Sequence, residues 1–414
     1  MDRVLQLIKQ EEKRQRETLM MIPSENTTSV DVRRAVGSVL INKYSEGYPG
    51  RRYYQGNQII DEVENLAIER ALSLFGVPHA NVQPYSGSPA NSAVYMGLLE
   101  PGDTIMGLSL SAGGHLTHGH PKITFSGKYF NSVQYGLNDK GLIDYVELKK
   151  LAKKHKPKLI VAGVTAYSRI LEWKKFSEIA ESVNAILMAD ISHIAGLVAA
   201  GVHPSPVPHV HVVTTTTHKT LRGPRGAMIM VTEKGLVRDP EMSKKVDRAV
   251  FPGLQGGPHD NQTAGIAIAL LEAQSKAFRL YARQVVENAK VLSEELIKLG
   301  FDISSGGTDN HLMLVDMRTK GTLGKPVAIA LEQVGIIVNY NAVPNDPNPP
   351  MNPSGIRIGT PGLTTRGLVK KDMKTIAVFI NSTVENMENE REIRRIAKEV
   401  KIFCKAHPIP KKFA

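Results

Sequence analysis

Between residues 60 and 275 the chain alternates short, nearly unbroken apolar runs with segments of helical periodicity, and this constrains the fold more than any other feature. The runs fall at 104–108, 159–164, 185–189, 210–214 and 227–231. Apolar runs of this length, separated by helices, predict strands buried on both faces, as in a largely parallel sheet. One helix is expected to start at Asp61. Val63, Leu66, Ala67, Ala71 and Leu74 follow at helical spacing, Glu64 completes a capping box and Gly76 marks the stop.

After residue 275 the pattern changes. A long helix at 276–299 is followed by a strand at 312–315, a helix at 326–334, a Pro- and Asn-rich loop at 341–353, a strand at 356–358 and two charged helices. An amphipathic helix at 1–17 carries Val4, Leu5, Leu7 and Ile8 on one side. The expected organisation is therefore an N-terminal arm (1–17), a large α/β domain (18–275) and a smaller C-terminal α+β domain (276–414).

Composition narrows the classes. Of 414 residues, 42% are hydrophobic and 22% charged, which excludes collagen-like and disordered chains. No apolar run nears the roughly 20 residues of a membrane span. The first 17 residues are polar and charged, so no signal peptide is read and the cytoplasm is the expected compartment. Cys404 is the single cysteine, which excludes an internal disulfide and a cysteine-only metal site. The net charge of +12 would attract polyanions. The basic residues are scattered, however, and lack interleaved aromatics, which argues against nucleic acid and favours a solvated basic surface.

Several segments carry side chains suited to chemistry. In 214–220, Lys219 lies just past a strand end with His218, Arg222 and Arg225 nearby; cationic neighbours and burial lower an amine's pKa and favour carbonyl attack. A surface lysine is the competing reading. Asp190 stands at the carboxyl end of an apolar run, where open α/β sheets place ligand sites. A carboxylate there could keep a pyridine nitrogen protonated, as pyridoxal phosphate enzymes require, or could cap the next helix. In 85–91, Ser88 reads as a helix N-cap and Pro89 as the first helical residue, with Ser86 and Gly87 adding a hydroxyl and close approach for a phosphate.

His115, His118 and His120 sit in a glycine-flanked loop, open to a metal reading with Asp190 and His193 or to His115 acting as a plate over a planar cofactor. Residues 42–54 hold four tyrosines, Glu46 and two arginines, suited to small-molecule recognition and proton transfer or to a subunit contact. Arg357 lies inside an apolar strand, where it meets a substrate carboxylate or a structural salt bridge.

Taken together, YSEGYPGRRYY, PYSGSPAN, GGHLTHG, ADISHIAGLVAAG, TTTTHKTLRGPRG, FPGLQGGP, GGTDNH and SGIRIGTP occur in the order found in serine hydroxymethyltransferases, and the chain resembles that family from about residue 24 to 365. The resemblance implies an α/β, aspartate aminotransferase-like fold (fold type I) binding pyridoxal 5'-phosphate. It also implies tetrahydrofolate as co-substrate and a homodimer, or a tetramer built from dimers, with shared active sites.

By position, Lys219 matches the lysine of the internal aldimine, and His218 a residue shaping specificity. Asp190 matches the partner of the pyridine nitrogen, His115 the ring-stacking histidine, and His193, Thr165 and Thr216 positions beside the cofactor. Ser86, Gly87 and Ser88 match the phosphate cradle, completed by the partner subunit's Tyr44, the partner subunit's Gly256 and the partner subunit's Gly257. Ser24 and Arg357 match groups holding the amino-acid carboxylate, with Tyr53 and Tyr54 on the substrate side. Glu46 matches the proton carrier, and Leu110, Gly114, Leu116, Phe251 and Asn341 the folate surface.

Some positions depart from the family pattern: Thr165 stands where serine is common, Tyr340 where lysine is common, and Pro349, Pro350 and Met351 replace a Ser-Pro-Phe stretch. The expected reaction is reversible hydroxymethyl transfer from L-serine to tetrahydrofolate, giving glycine, with no metal. A folate-independent aldolase of 3-hydroxy amino acids is the alternative.

Overall fold

A computed structural model describes residues 2–121 and 123–410. Met1 of the expected arm and 411–414 of the expected C-terminal domain lie outside the described residues. The chain forms two compact units, one of residues 28–165 and 170–282, the other of 1–27, 166–169 and 283–414.

Among the described residues, the first unit holds a seven-stranded sheet in the order His79–Asn81, Ala227–Val231, Val212–Thr216, Ile186–Asp190, Leu159–Gly163, Thr104–Leu108, Asn131–Tyr135. Only Ala227–Val231 runs against the others. Every residue of Leu159–Gly163, Val212–Thr216 and Ala227–Val231 is buried, as unbroken apolar runs require when helices cover both faces. His79–Asn81 and Asn131–Tyr135 escape the sequence pattern, the first because it is three residues long and the second because it is a mixed-polarity edge strand. The helix Asp260–Ala273 is buried on nearly all sides and so shows no amphipathic period.

Two helix starts differ from expectation. The helix expected from Asp61 runs Gln58–Phe75, with Asn57 preceding it and Gly76 closing it in the left-handed conformation. Asp61 and Glu64 do not cap it; both carboxylates bind Arg52 instead. The next helix is Gly87–Leu98, with Ser86 rather than Ser88 at the cap position and Pro89 third rather than first. Gly87 permits this early start: a Cβ there would lie 2.8 Å from Thr216 Cγ2.

The second unit is built on an antiparallel sheet in the order Asp302–Ile303, Leu312–Asp316, Gly355–Gly359, Asn339–Asn341. Its core joins Leu292, Leu296, Val315, Leu331, Ile356, Ile376, Ile396 and Val400. The N-terminal helix Arg3–Glu17 has no buried residue, so its attachment rests on polar contacts. The buried Arg366 supplies them. Its Nη1 donates to the carbonyls of Gln15 (3.1 Å) and Thr18 (2.7 Å), and its Nη2 to those of Arg16 (2.8 Å) and Cys404 (2.9 Å). Its Nε donates to His407 (2.9 Å). One guanidinium thus satisfies the orphan carbonyls at the ends of two helices, Arg3–Glu17 and Glu390–Ala406, and opposes their negative dipole ends. Arg366→Met should weaken this unit by about 3 kcal/mol, because several buried carbonyls lose their donor. Hydrogen exchange should show faster opening of residues 3–17 and 400–407 together; unchanged protection there would contradict the role.

Candidate active site

Four neighbouring parallel strands end on the same side of the sheet, and each delivers candidate residues. Thr104–Leu108 leads to the loop with His115, Leu159–Gly163 to Thr165, Ile186–Asp190 ends at Asp190, and Val212–Thr216 leads to Lys219. Carboxyl ends of parallel strands are where open α/β sheets place ligands.

Asp190 is buried, and four donors hold its carboxylate. Oδ1 accepts from Ser192 N (3.0 Å) and Ser192 Oγ (2.6 Å); Oδ2 accepts from Asn91 Nδ2 (2.9 Å) and His118 Nε2 (3.0 Å). Burial alone would raise its pKa, but the bonds from His118, Asn91 and Ser192 hold it well below the usual carboxylate range. Its four lone-pair directions are all served, so a cationic ring nitrogen reaching Asp190 is favoured by the charge and shares a position with one of these donors. His118 Nδ1 accepts from His115 N–H (3.2 Å), which places the hydrogen on Nε2.

The same network reaches His115. Asn91 Nδ2 also donates to Thr117 Oγ1 (2.9 Å), Thr117 Oγ1 lies 2.7 Å from His115 Nδ1, and Thr214 Oγ1 donates to Asn91 Oδ1 (2.7 Å). Thr117 N–H donates to His115 Nδ1 as well (3.2 Å), so the ring's hydrogen sits on Nε2. Burial, then the neighbouring His118 and Lys219, bring His115 down to about 4, leaving an uncharged ring at neutral pH. The sequence reading missed Asn91 as a functional residue and weighed His118 only as a metal ligand. The local pattern hides this role, since Asp190 lies far along the chain from both.

The helix start at Ser86, Gly87 and Ser88 offers first-turn N–H groups without intrahelical acceptors, and Ser86 Oγ makes no capping bond. Gly87 brings this turn against Thr216, whose N–H donates to Ser192 Oγ (3.1 Å). Lys219 is half-buried, and its charge acts on both His115 and His218. Burial first, then Lys219 and Arg225, pull His218 down to about 3. The turn beyond Lys219 is fixed by Arg222 N–H to Lys219 O (3.1 Å), with Arg222 at a left-handed φ of 59° and its guanidinium 4.1 Å from the Tyr281 ring centroid. His193 is buried, and its carbonyl accepts from Thr220 Oγ1 (3.0 Å). Thr165 Oγ1 donates to the carbonyl of Gly114 (2.9 Å), fixing the loop in which Leu110 and Leu116 are exposed.

Tyr44, Glu46, Tyr53, Tyr54, Phe251, Gly256 and Gly257 assemble as a second cluster in this unit. The Tyr44 and Tyr54 rings meet edge to face at 4.9 Å, and Tyr53 lies 5.8 Å from Phe251. Gly256 and Gly257 pack on Glu46 and Tyr44, and Tyr85 Oη donates to Gly257 O (2.8 Å). The Glu46 charge, and a hydrogen bond to it, push the Tyr44 phenol up. In the other unit, Arg357 is the centre of Gly355–Gly359 and its Nε donates to Asn339 Oδ1 (3.0 Å). Burial lowers it to about 10, so it stays charged at neutral pH. Ser24 follows Pro23, which packs on Gly359, while Gly359 N–H donates to Met21 O (2.8 Å). Asn341 closes the edge strand beside Gly355. Among the described residues, no three His, Cys, Asp or Glu side chains gather as a metal site, and no helix is long and apolar enough to cross a membrane.

Comparison with known proteins gives concordant results. A family model described as serine hydroxymethyltransferase matches residues 1–380. A serine hydroxymethyltransferase of Acidothermus cellulolyticus is 56% identical over 414 residues, covering 98% of this chain and 95% of that protein. Those of Desulfotalea psychrophila (53% identical, 98% of this chain, 94% of that protein) and Legionella pneumophila (52%, 99% and 97%) are similar along the same length.

Three desolvated histidines, one buried and two half-buried, make stability depend on pH. His115 and His211 are held at about 4 and His218 at about 3, against an ordinary value of 6.5; burial is the largest cause for each. The native protein keeps all three neutral while the unfolded chain takes up protons below about 6.5, so stability is full above that value and falls as pH drops toward about 4. The thermal midpoint should decline across this window. His211→Asn, which keeps an acceptor for the Leu187 N–H, should remove about one proton from the slope. A midpoint that is flat from pH 6.5 to 4 would contradict these assignments.

Proposed function

The chain belongs to the serine hydroxymethyltransferase family, and on that premise we propose how its residues divide the work of the reaction. The reaction is the reversible transfer of a hydroxymethyl group from L-serine to tetrahydrofolate, giving glycine and 5,10-methylenetetrahydrofolate. Pyridoxal 5'-phosphate, when bound, supplies an electron sink for the pair left on the α-carbon. Free first-turn amides at Ser86 to Ser88 suit its phosphate, and the uncharged His115 ring suits its face. The observation that carries the reading is the ionised, four-donor Asp190 carboxylate at the end of the strand next to the one that leads to Lys219, which suits a protonated ring nitrogen.

In this reading Lys219 holds the coenzyme through Nζ, and His218, His193, Thr165 and Thr216 shape its surroundings. Arg357 and Ser24 bind the serine carboxylate; a desolvated guanidinium gains most from a bidentate carboxylate. Glu46 moves a proton at the hydroxymethyl oxygen or at the folate nitrogen, with Tyr53 and Tyr54 beside it. Leu110, Leu116 and Gly114 offer an apolar surface to the pteridine, together with Phe251 and Asn341. A folate-independent aldolase is not favoured, since the full-length relatives carry the transferase name.

The protein works as a homodimer in the cytoplasm, each chain lending Tyr44, Gly256 and Gly257 to its partner. Val39, Ile41, Ile59 and Leu271 are exposed on elements that pack together, and Tyr44 and Tyr53 are exposed in the adjoining loops, an apolar surface that a second copy would cover.

Borohydride reduction of the loaded enzyme followed by peptide mass spectrometry tests the central assignment. The label is expected on the peptide containing Lys219 and absent in Lys219→Ala; a label on another lysine would overturn it. Glu46→Gln should lower folate-dependent kcat by about 100-fold or more with coenzyme binding intact. Asn91→Ala removes donors to both Asp190 and Thr117, so coenzyme affinity should fall about tenfold in equilibrium titration. Unchanged affinity would remove Asn91 from the site.

A further inference from the structure

Glu46 stands in an irregular stretch, residues 43–46, before the short hairpin of Gly47–Tyr48 and Arg51–Arg52. Loop side chains are mobile unless their backbone is tied down, and a proton carrier needs a fixed place. Here three consecutive carbonyls are held. Arg52 Nη1 donates to Ser45 O (2.9 Å) and to Gly47 O (3.0 Å), the two carbonyls flanking Glu46. The Glu46 carbonyl itself accepts from Tyr53 N–H (3.0 Å).

The guanidinium is anchored in turn. Its Nε donates to Asp61 Oδ1 (2.8 Å) and its Nη2 to Glu64 Oε2 (2.6 Å), one helical turn apart on Gln58–Phe75. The side chains of Arg52 and Glu64 are only 3% and 2% exposed. Gln83 Nε2 bridges the same groups, donating to Glu64 Oε1 (2.8 Å) and Gly47 O (3.0 Å). Ser45 Oγ donates to the buried Asp260 Oδ1 (2.6 Å). Gly47, at φ 101°, admits no side chain, since a Cβ would meet Arg51 O at 2.4 Å. A long helix, two carboxylates and one planar fork therefore set the backbone on both sides of Glu46.

We propose that Arg52 is a positioning residue for the reaction: its guanidinium, clamped by Asp61 and Glu64, fixes the Glu46 carboxylate by holding the carbonyls of Ser45 and Gly47. The inference rests on the proton-carrying role proposed for Glu46. Lysine cannot replace it, because a compact ammonium does not span the fork from two carboxylates to two carbonyls. A purely structural ion pair would change stability and leave the kinetics of the folded enzyme alone.

The test uses the coenzyme-loaded enzyme in four forms: wild type, Arg52→Lys, Glu46→Gln and the double variant. Arg52→Lys should lower kcat for folate-dependent serine cleavage about tenfold or more, with KM for serine and coenzyme affinity within about twofold. Amide exchange across residues 44–48 should quicken while the neighbouring helix stays protected. The double variant should lose no more than Glu46→Gln alone, as expected for residues acting as one unit. Should Arg52→Lys fail to fold, Arg52→Gln combined with Glu64→Gln, which removes the charge from both buried partners, is read in the same way. An unchanged kcat in a folded Arg52 variant, or an additive loss in the double variant, overturns the proposal while leaving Glu46 in place. An unchanged kcat in Glu46→Gln overturns the reading of Glu46 and this inference with it.

Discussion

A negative charge kept inside the protein organises this structure. Desolvation of a carboxylate is expensive, and a group left alone at the Asp190 position would protonate rather than stay charged. Donors from three separate segments prevent this: Asn91 from a helix, His118 from a glycine-rich loop, and Ser192 from the turn following Asp190 itself. Each donor is fixed by another bond, so the three segments hold one another in place. The loop that presents His115 and the strand end that precedes Lys219 are both tied to this group, the first through His118 and the second through Ser192. Glycines make the convergence possible; a Cβ at Gly163 would lie 2.8 Å from Asp190 Cβ and 2.9 Å from His118 Cε1.

Two buried guanidiniums play comparable mechanical roles elsewhere. Arg366 gathers the carbonyl ends of two helices in the unit holding the C-terminal sheet, and Arg52 gathers two carbonyls of the Glu46 loop in the other. Each exploits the five fixed donors of arginine to order backbone that makes few bonds of its own. Arg357 differs: it lies desolvated in the middle of a strand, with Nε donating to the Asn339 side-chain oxygen.

The sheet was readable in the sequence because its strands are buried on both faces. The expected 104–108 and 227–231 coincide with Thr104–Leu108 and Ala227–Val231; the expected 159–164 ends one residue late, and the expected 185–189 and 210–214 lie one and two residues too early. Placing Asp190 and Lys219 at strand ends followed from the same pattern. Helix starts were harder, because Asp61, Glu64 and Ser88 look like caps. Two of them serve Arg52, and the third is overruled by the tight approach of Gly87 to Thr216. The roles of Asn91 and His118 were hidden since the bonds that define them close loops of 99 and 72 residues, and no local spacing encodes such a partner.

The central claim is that Asp190 stays ionised and keeps the coenzyme's ring nitrogen protonated. Nitrogen NMR of the enzyme loaded with pyridoxal phosphate labelled at the ring nitrogen measures this directly. The account predicts a pyridinium signal throughout the neutral and mildly alkaline range in the wild type, and its loss in Asp190→Asn. A neutral pyridine signal in the wild-type enzyme would contradict it.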